Sequence, residues 1–428
     1  MEGEKLYWDP VAETTPHDKL KELQGKRLQE LAEYAYEKTA FYRKKFDEAG
    51  VKPSDINSVD DIAKLPLIED DEIRQAPIEE KLSIPWSEVN QCCSSSGTTG
   101  FPEPLAFTRE DFDIGCVDSV ARLEWTNGVR PSDLVQHLMG LPCLNLPSRL
   151  IGAGTMGEQA GRSRLDNQIV LGKMMGVTVL EYMPSMALSY FEQAKTLGID
   201  IRDTKIRLVV GIGEGISESY KKKVEADYGI VFRDFYGVST AGELAAECES
   251  GGGLHITADR IIIENINPET EEIVPLGEEG ELVVTNLVRR AIPRIRVRIS
   301  DVASMLPYDP CPCGRTHSKM SKVRGRMVQL LNIEGKKFFP IDVEEVLGTF
   351  PELGYEYQII KDKPELDRLK VKVEYRPEAG DLRSLGSRIE EAFYNELGIG
   401  SEVEFVPMGS IGRALFKAQR LITTYEKK

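Results

Sequence analysis

The sequence predicts an α/β protein with a large amino-terminal domain, residues 1–325, and a small α+β carboxy-terminal domain, residues 326–428. Three observations lead there. From residue 177 short β-branched runs alternate with amphipathic stretches, and such a βαβαβ series builds a parallel, doubly wound sheet. Beyond Gly253 strand-like runs follow one another without helices, which makes a β-rich subdomain. Past Gly325 the chain carries its own set of strand and helix signals.

Taken in order, residues 16–50 carry Leu20, Leu23, Leu28, Leu31 and Ala35 at helical spacing and stop at Gly50, so they predict one amphipathic helix packed outside a sheet. The parallel part consists of strands at 177–182, 206–211 and 230–235 with helices at 184–197 and 216–228. Ligands of such sheets bind at the carboxyl ends of the strands, and those ends carry Gly211-Ile212-Gly213-Glu214 and Asp234-Phe235-Tyr236-Gly237. Strands at 260–266 and 281–287 follow, joined by a Pro/Glu/Gly-rich connection. The last domain has strands at 330–333, 370–375 and 403–406. It also has a helix with Leu382, Leu385, Ile389, Phe393 and Leu397 on one face, closed by Gly398.

The 428 residues carry a net charge of -16, which opposes binding to a nucleic acid backbone. No apolar run approaches the roughly 20 residues that a membrane-spanning helix needs. Seven cysteines suit no disulfide framework, and a reducing cytoplasm is expected. Cys92, Cys93, Cys116 and Cys143 show no ligand-like spacing and read as small core residues.

The most informative stretch is Ser94-Ser95-Ser96-Gly97-Thr98-Thr99-Gly100-Phe101-Pro102. Glycines let backbone N–H groups approach an anion and the hydroxyls add donors, so the run suits phosphate. Its bland alternative is a flexible linker. No lysine follows Gly100, so it is not a Walker loop. This run resembles the phosphate loop of the acyl-adenylate-forming superfamily, and the chain resembles its phenylacetate-CoA ligase branch nearly end to end. Tyr42-Arg43-Lys44-Lys45-Phe46-Asp47, Tyr236-Gly237-Val238-Ser239, Arg298-Ile299-Ser300-Asp301, Gly325-Arg326, Phe339-Pro340 and Gly409-Ser410 with Lys417 fall in the family's order.

The resemblance implies ATP-dependent activation of a small carboxylic acid, aryl or arylacetic, to an acyl-adenylate, followed by transfer to coenzyme A with release of AMP and pyrophosphate. The loop would hold pyrophosphate. Tyr236 would lie against adenine with Gly237 allowing close approach, Asp301 would take the ribose hydroxyls and Arg326 the ribose or phosphate. Lys417 would bridge the attacking carboxylate and the α-phosphate, where an ammonium neutralises developing charge. The small domain would be mobile, rotating between the two half-reactions. Alternatives are an adenylating enzyme with another acceptor and a nucleotide-binding homologue without catalysis; a homodimer is allowed.

Cys248 and His255 flank Gly251-Gly252-Gly253, and Cys311-Pro312-Cys313 makes a tight knuckle. Three thiolates and an imidazole suit tetrahedral zinc, with His317 as an alternative to His255, and relatives with this pattern hold a structural zinc. Three departures stand out. Phe101 replaces a usual lysine; Thr240 replaces the usual glutamate for magnesium, for which Glu243 or Glu247 would substitute; Val328-Gln329 replaces an acidic hinge pair. Arg149, Arg162 and Arg164 are surface residues or point to a second anionic group on the acid.

Overall fold

The computed structural model describes residues 6–95, 102–137, 142–157, 165–413 and 417–425. The chain is α/β and forms two compact units. The first is Met1–Ser132, Leu141–Gly154 and Phe235–Lys322; the second is Asp133–Gly140, Thr155–Asp234 and Val323–Lys428.

In the first unit the segment expected as one helix is two, His17–Lys38 and Ala40–Ala49. Thr39 is extended (φ -123°, ψ 133°) and its hydroxyl accepts from Tyr42 N, so it caps the second helix. The 3.6-residue period continues across this break, which hid it. The stop at Gly50, in the left-handed conformation, is as expected. Leu28, Leu31, Ala32 and Ala35 pack with Ile262, Leu287, Ile295 and Val297, so the helix pair does cover a sheet. That sheet runs Ile68–Glu69, Arg294–Ser304, Glu279–Asn286, Ile261–Ile266, antiparallel except for its first pair. A second antiparallel ladder joins the end of Val231–Val238 to Gly242–Glu247, Leu254–Ile256 and Lys319–Met320.

The second unit holds the parallel strands Leu134–His137, Val179–Tyr182 and Leu208–Ile212, with the helices Pro184–Thr196 and Glu218–Tyr228. It also holds the four-stranded sheet Ser401–Pro407, Leu369–Tyr375, Leu353–Lys361, Leu421–Thr423, packed with the helices Pro340–Gly348 and Leu382–Leu397. One core is common to both parts, from Leu180 and Phe191 through Tyr220 to Leu347, Tyr355 and Phe393. Lys223 is buried in it with its ammonium 3.0, 2.7 and 3.3 Å from the carbonyls of Phe350, Leu353 and Gly354.

Cys92 and Cys93 are exposed, contrary to their reading as core residues, because the strand Gln91–Ser94 that carries them is exposed throughout. Cys116 is half-buried, and the side chain of Cys143 lies outside the described residues. Arg149 is exposed; Arg162 and Arg164 lie outside the described residues. Among the described residues no helix is long and apolar enough to cross a membrane.

Candidate active site and metal centre

The small-residue loop is the connection of a hairpin, Gln91–Ser94 against Pro104–Phe107. Ser94 is exposed, while Ser96, Gly97, Thr98, Thr99, Gly100 and Phe101 lie outside the described residues. The base of the loop is tied twice. Ser95 N donates to Glu103 O at 2.9 Å, and Glu103 N donates to Ser95 Oγ at 2.8 Å. The Glu103 side chain is fully buried and accepts from Arg294 Nη2 at 2.6 Å and Lys81 Nζ at 3.2 Å. Burial pushes its carboxyl up, but the two cations outweigh that and hold it below the usual carboxylate range. Sequence reasoning missed this anchor, since Pro-Glu-Pro reads as ordinary loop.

Tyr236 and Asp301 come together in the first unit: the phenol donates to Asp301 Oδ2 at 2.7 Å, and Asp301 is buried. Each is fixed by a strand, Val231–Val238 and Arg294–Ser304. Gly237 pairs across the ladder with Glu243, past an irregularity in register between Tyr236 and Gly237. Burial pushes the Glu243 carboxyl up to about 7 against the pull of Arg289, and its Oε2 has no hydrogen-bond partner among the described residues. Thr240 serves instead through its carbonyl, which accepts from Arg289 Nη1 at 2.9 Å. Glu247 pairs with Leu254, beside Cys248.

In the second unit Asp234 accepts from Lys221 Nζ at 3.0 Å, so an ion pair occupies a residue expected to serve the ligand. Arg326 N donates to Gln329 Oε1 at 3.0 Å; the amide of Gln329 thus caps the turn where an acidic residue was expected, and Val328 is exposed. Lys417 lies over the strand-end turn: a Cβ added to Gly213 (φ +81°) would sit 3.8 Å from Lys417 Cε. Glu214 holds the neighbouring backbone, accepting from Ser185 N at 3.1 Å on one oxygen and from Ala418 N on the other. Its carboxylate is a clamp on the lysine segment. A further pair that the sequence did not reveal stands at the ends of the parallel strands, His137 Nδ1 3.2 Å from Glu181 Oε2 with both side chains fully buried.

The metal candidates converge. Cys248, His255, Cys311 and Cys313 present ligand atoms all within 4.8 Å of one another. Cys248 and Cys311 sulfurs are 3.7 Å apart, and Cys313 Sγ is 3.3 Å from His255 Nε2. A hydrogen bond from Cys248, aided by His255, draws the Cys313 thiol below its ordinary pKa against the opposing effect of burial. His255 Nδ1 faces His317 O at 3.4 Å, which leaves Nε2 for a metal. His317 itself is turned away, its nitrogens 2.9 and 2.8 Å from the carbonyls of Ile256 and Ala12. Gly253 (φ +112°) lets the intervening turn fold tightly: a Cβ there would meet Leu306 Cδ1 and Met320 O at 2.7 Å.

Comparison with known proteins bears on these geometries. Residues 335–424 match the family model of the AMP-binding enzyme C-terminal domain. The chain is 31% identical to a phenylacetate-coenzyme A ligase of Aromatoleum evansii over 98% of either protein. It is 30% identical to that of Escherichia coli K12, with 96% of either covered. Among solved structures, 2-hydroxyisobutyryl-CoA ligase in its postadenylation state with 2-HIB-AMP superposes with a TM-score of 0.90 at 26% identity, covering 99% of this chain and 93% of that one. The same ligase with 2-HIB-AMP and CoA in its thioesterification state superposes with a TM-score of 0.70, with the same identity and coverage.

Proposed function

Because the chain belongs to the phenylacetate-coenzyme A ligase branch of the acyl-adenylate-forming superfamily and is an AMP-forming acid–coenzyme A ligase, we propose that its substrate is an aryl or arylacetic acid and that Lys417 is its adenylating lysine. An acid carboxylate attacks the α-phosphorus of ATP and pyrophosphate leaves; the thiol of coenzyme A then attacks the acyl carbon, and AMP leaves with the bonding electrons. The observation that carries the lysine assignment is its seat against the Gly211–Glu214 turn at the carboxyl end of a parallel strand, clamped through Ala418 and Glu214. Catalysis of this kind rests on positioning and charge neutralisation.

On this reading Ser94 to Gly100 hold the leaving pyrophosphate, Tyr236 stacks on adenine and orients Asp301 toward the ribose, and Arg326 contacts ribose or phosphate. Supporting the second of these is the 2.7 Å bond between phenol and carboxylate. Asp301→Ala is expected to raise KM for ATP by ~10-fold, the loss of a charge-assisted bond, measured by pyrophosphate release at saturating acid; an unchanged KM would remove Asp301 from the nucleotide site. Magnesium would be held by Glu243, whose unpartnered Oε2 opposite Gly237 favours it over Glu247. The hinge between the domains 1–325 and 326–428 lies at Gly325-Arg326; the family match over 335–424 supports that division, and rotation there would exchange Lys417 for coenzyme A.

Zinc is the metal that the thiolate and imidazole donors fit. Tetrahedral zinc with bonds of ~2.3 Å to sulfur separates two sulfurs by roughly 3.8 Å, against the 3.7 Å found between Cys248 and Cys311. Four protein ligands leave no open position, so its role is structural. Metal analysis of protein purified without chelator is expected to give about one zinc per chain, and a value near zero would cancel the assignment. The six described cysteines are all free, which supports a reducing cytoplasm.

The experiment that tests the function is pyrophosphate release from ATP across aryl, aliphatic and dicarboxylic acids, with and without coenzyme A. The expected result is release with arylacetic acids and a new thioester only when coenzyme A is present. Release with small hydroxy acids alone would move the substrate class toward that of the structural relative.

A further inference from the structure

We propose that Glu192 is a positioning residue for adenylation, acting through Arg413 to set Lys417; this rests on the ligase reading above. Arg413 precedes the lysine by four residues. Its guanidinium straddles Glu374, with Nη1 to Oε1 at 2.9 Å and Nη2 to Oε2 at 2.8 Å, and Ile411 N donates to the same carboxylate at 2.7 Å. Glu374 is fully buried in the strand Leu369–Tyr375, so this pair fixes Arg413 to the sheet of residues 353–423. The third side of the guanidinium reaches elsewhere: Nε donates to Glu192 Oε2 at 2.9 Å, on the helix Pro184–Thr196.

That helix also carries the downstream tether. Ser185, in its first turn, shares Glu214 with Ala418, the residue after the lysine. Ser185 makes this bond with its backbone N–H, a first-turn amide free of intrahelical partners, and Glu192 stands two turns further along the same helix. Both flanks of the lysine are therefore moored to one helix, upstream through Arg413 and the Glu192 side chain, downstream through Glu214 and the backbone N–H of Ser185. The Glu374 pair alone cannot do this, because it joins Arg413 only to its own sheet.

Nor is Glu192 placed well for stability. Its side chain is 12% exposed, burial pushes its carboxyl up to about 7, and Glu374 and Glu356 repel it while Arg413 draws it down. Buried ion pairs contribute little net stability but fix geometry. The lysine is needed where charge develops on the carboxylate and α-phosphate, and thioester formation from a finished adenylate does not need it.

The test uses the full chain and separates the half-reactions. Glu192→Gln keeps the shape and an acceptor for Arg413 Nε but removes the charge. It is expected to slow acid-dependent exchange of pyrophosphate into ATP by ~10-fold or more, the worth of a charged hydrogen bond, while thioester formation from supplied acyl-adenylate and coenzyme A stays at the wild-type rate. Arg413→Lys, which cannot bridge both carboxylates, should show the same split. Equal losses in both half-reactions, or full exchange activity in Glu192→Gln, overturns the positioning role. The ligase reading fails separately, if the wild type exchanges no pyrophosphate with any acid.

Discussion

Replacing Lys417 with alanine is expected to slow adenylate formation by ~10²–10³-fold, the range for removing one preorganised charge from a transition state. Three observations set the direction. The residue is half-buried, not part of a core. Its chain is held on the downstream side by Glu214 through Ala418 N, a backbone contact that alanine preserves. Its Cε lies over Gly213, at the end of a parallel strand where ligands collect. Truncation therefore leaves the scaffold in place, and thermal stability should move by no more than about 0.5 kcal/mol, as for surface substitutions. Arginine is expected to rescue poorly, because a planar guanidinium cannot take the place of a compact ammonium against two oxygens. Rapid-quench measurement of acyl-adenylate gives the answer; a variant that forms adenylate at the wild-type rate would show that the charge comes from elsewhere.

Glu103→Ala should cost about 3–5 kcal/mol, the penalty for stranding a buried cation. Arg294 is fully buried and Lys81 nearly so, and Glu103 is the carboxylate that both reach. Already in the wild type Arg294 Nε and Nη1 have no partner among the described residues, so the guanidinium has little else to turn to. The pH dependence follows from the sign of the shift. The folded protein holds Glu103 below its ordinary pKa, so its contribution is complete above the unfolded value, roughly 4.3, and is lost as the pH falls through the lower, folded value. The gap in urea midpoint between wild type and variant should therefore be constant around neutrality and shrink in acid. The bonds that tie the loop base run through the Glu103 backbone N and O, which alanine keeps, so any loss of ATP affinity in the folded variant reports the charge cluster beneath the loop. A stable variant with normal ATP affinity would mean that the charge cluster is idle.

Much of this arrangement was legible in the chain, and the parts that were not share a cause. The βαβαβ run and the helix ending at Gly398 follow from periodicity over ten or more residues, and the structure has them, as Leu382–Leu397 with Gly398 in the left-handed conformation. The cysteine cluster was legible as a donor set, Cys-Pro-Cys and a Cys/His pair around three glycines, but spacing left open whether the two halves meet and whether His255 or His317 joins them, which the fold decides. What escaped is where long-range contacts decide. Thr39 breaks a helix whose apolar stripe runs through the break. Cys92 and Cys93, taken as core because cysteine usually is, sit on an exposed hairpin strand. The pair of Glu192 with Arg413 spans 221 positions, and that of Glu103 with Arg294 spans 191, distances at which a charged side chain in sequence looks like any solvated one.

The cluster of Cys248, His255, Cys311 and Cys313 has a consequence for handling the protein in air. With a metal bound, the sulfur lone pairs are engaged and the thiolates are shielded. Without one, Cys313, its thiol drawn below the ordinary pKa, sits half-buried among two other sulfurs and an imidazole. That is the chemistry of a readily oxidised site, since thiolate character and access set the rate of conversion to sulfenic acid, which then condenses with a neighbouring thiol. If zinc fills this cluster as proposed, chelator in a purification buffer would do more than remove an ion: it would start an ageing process that adding zinc back later cannot reverse without a reductant.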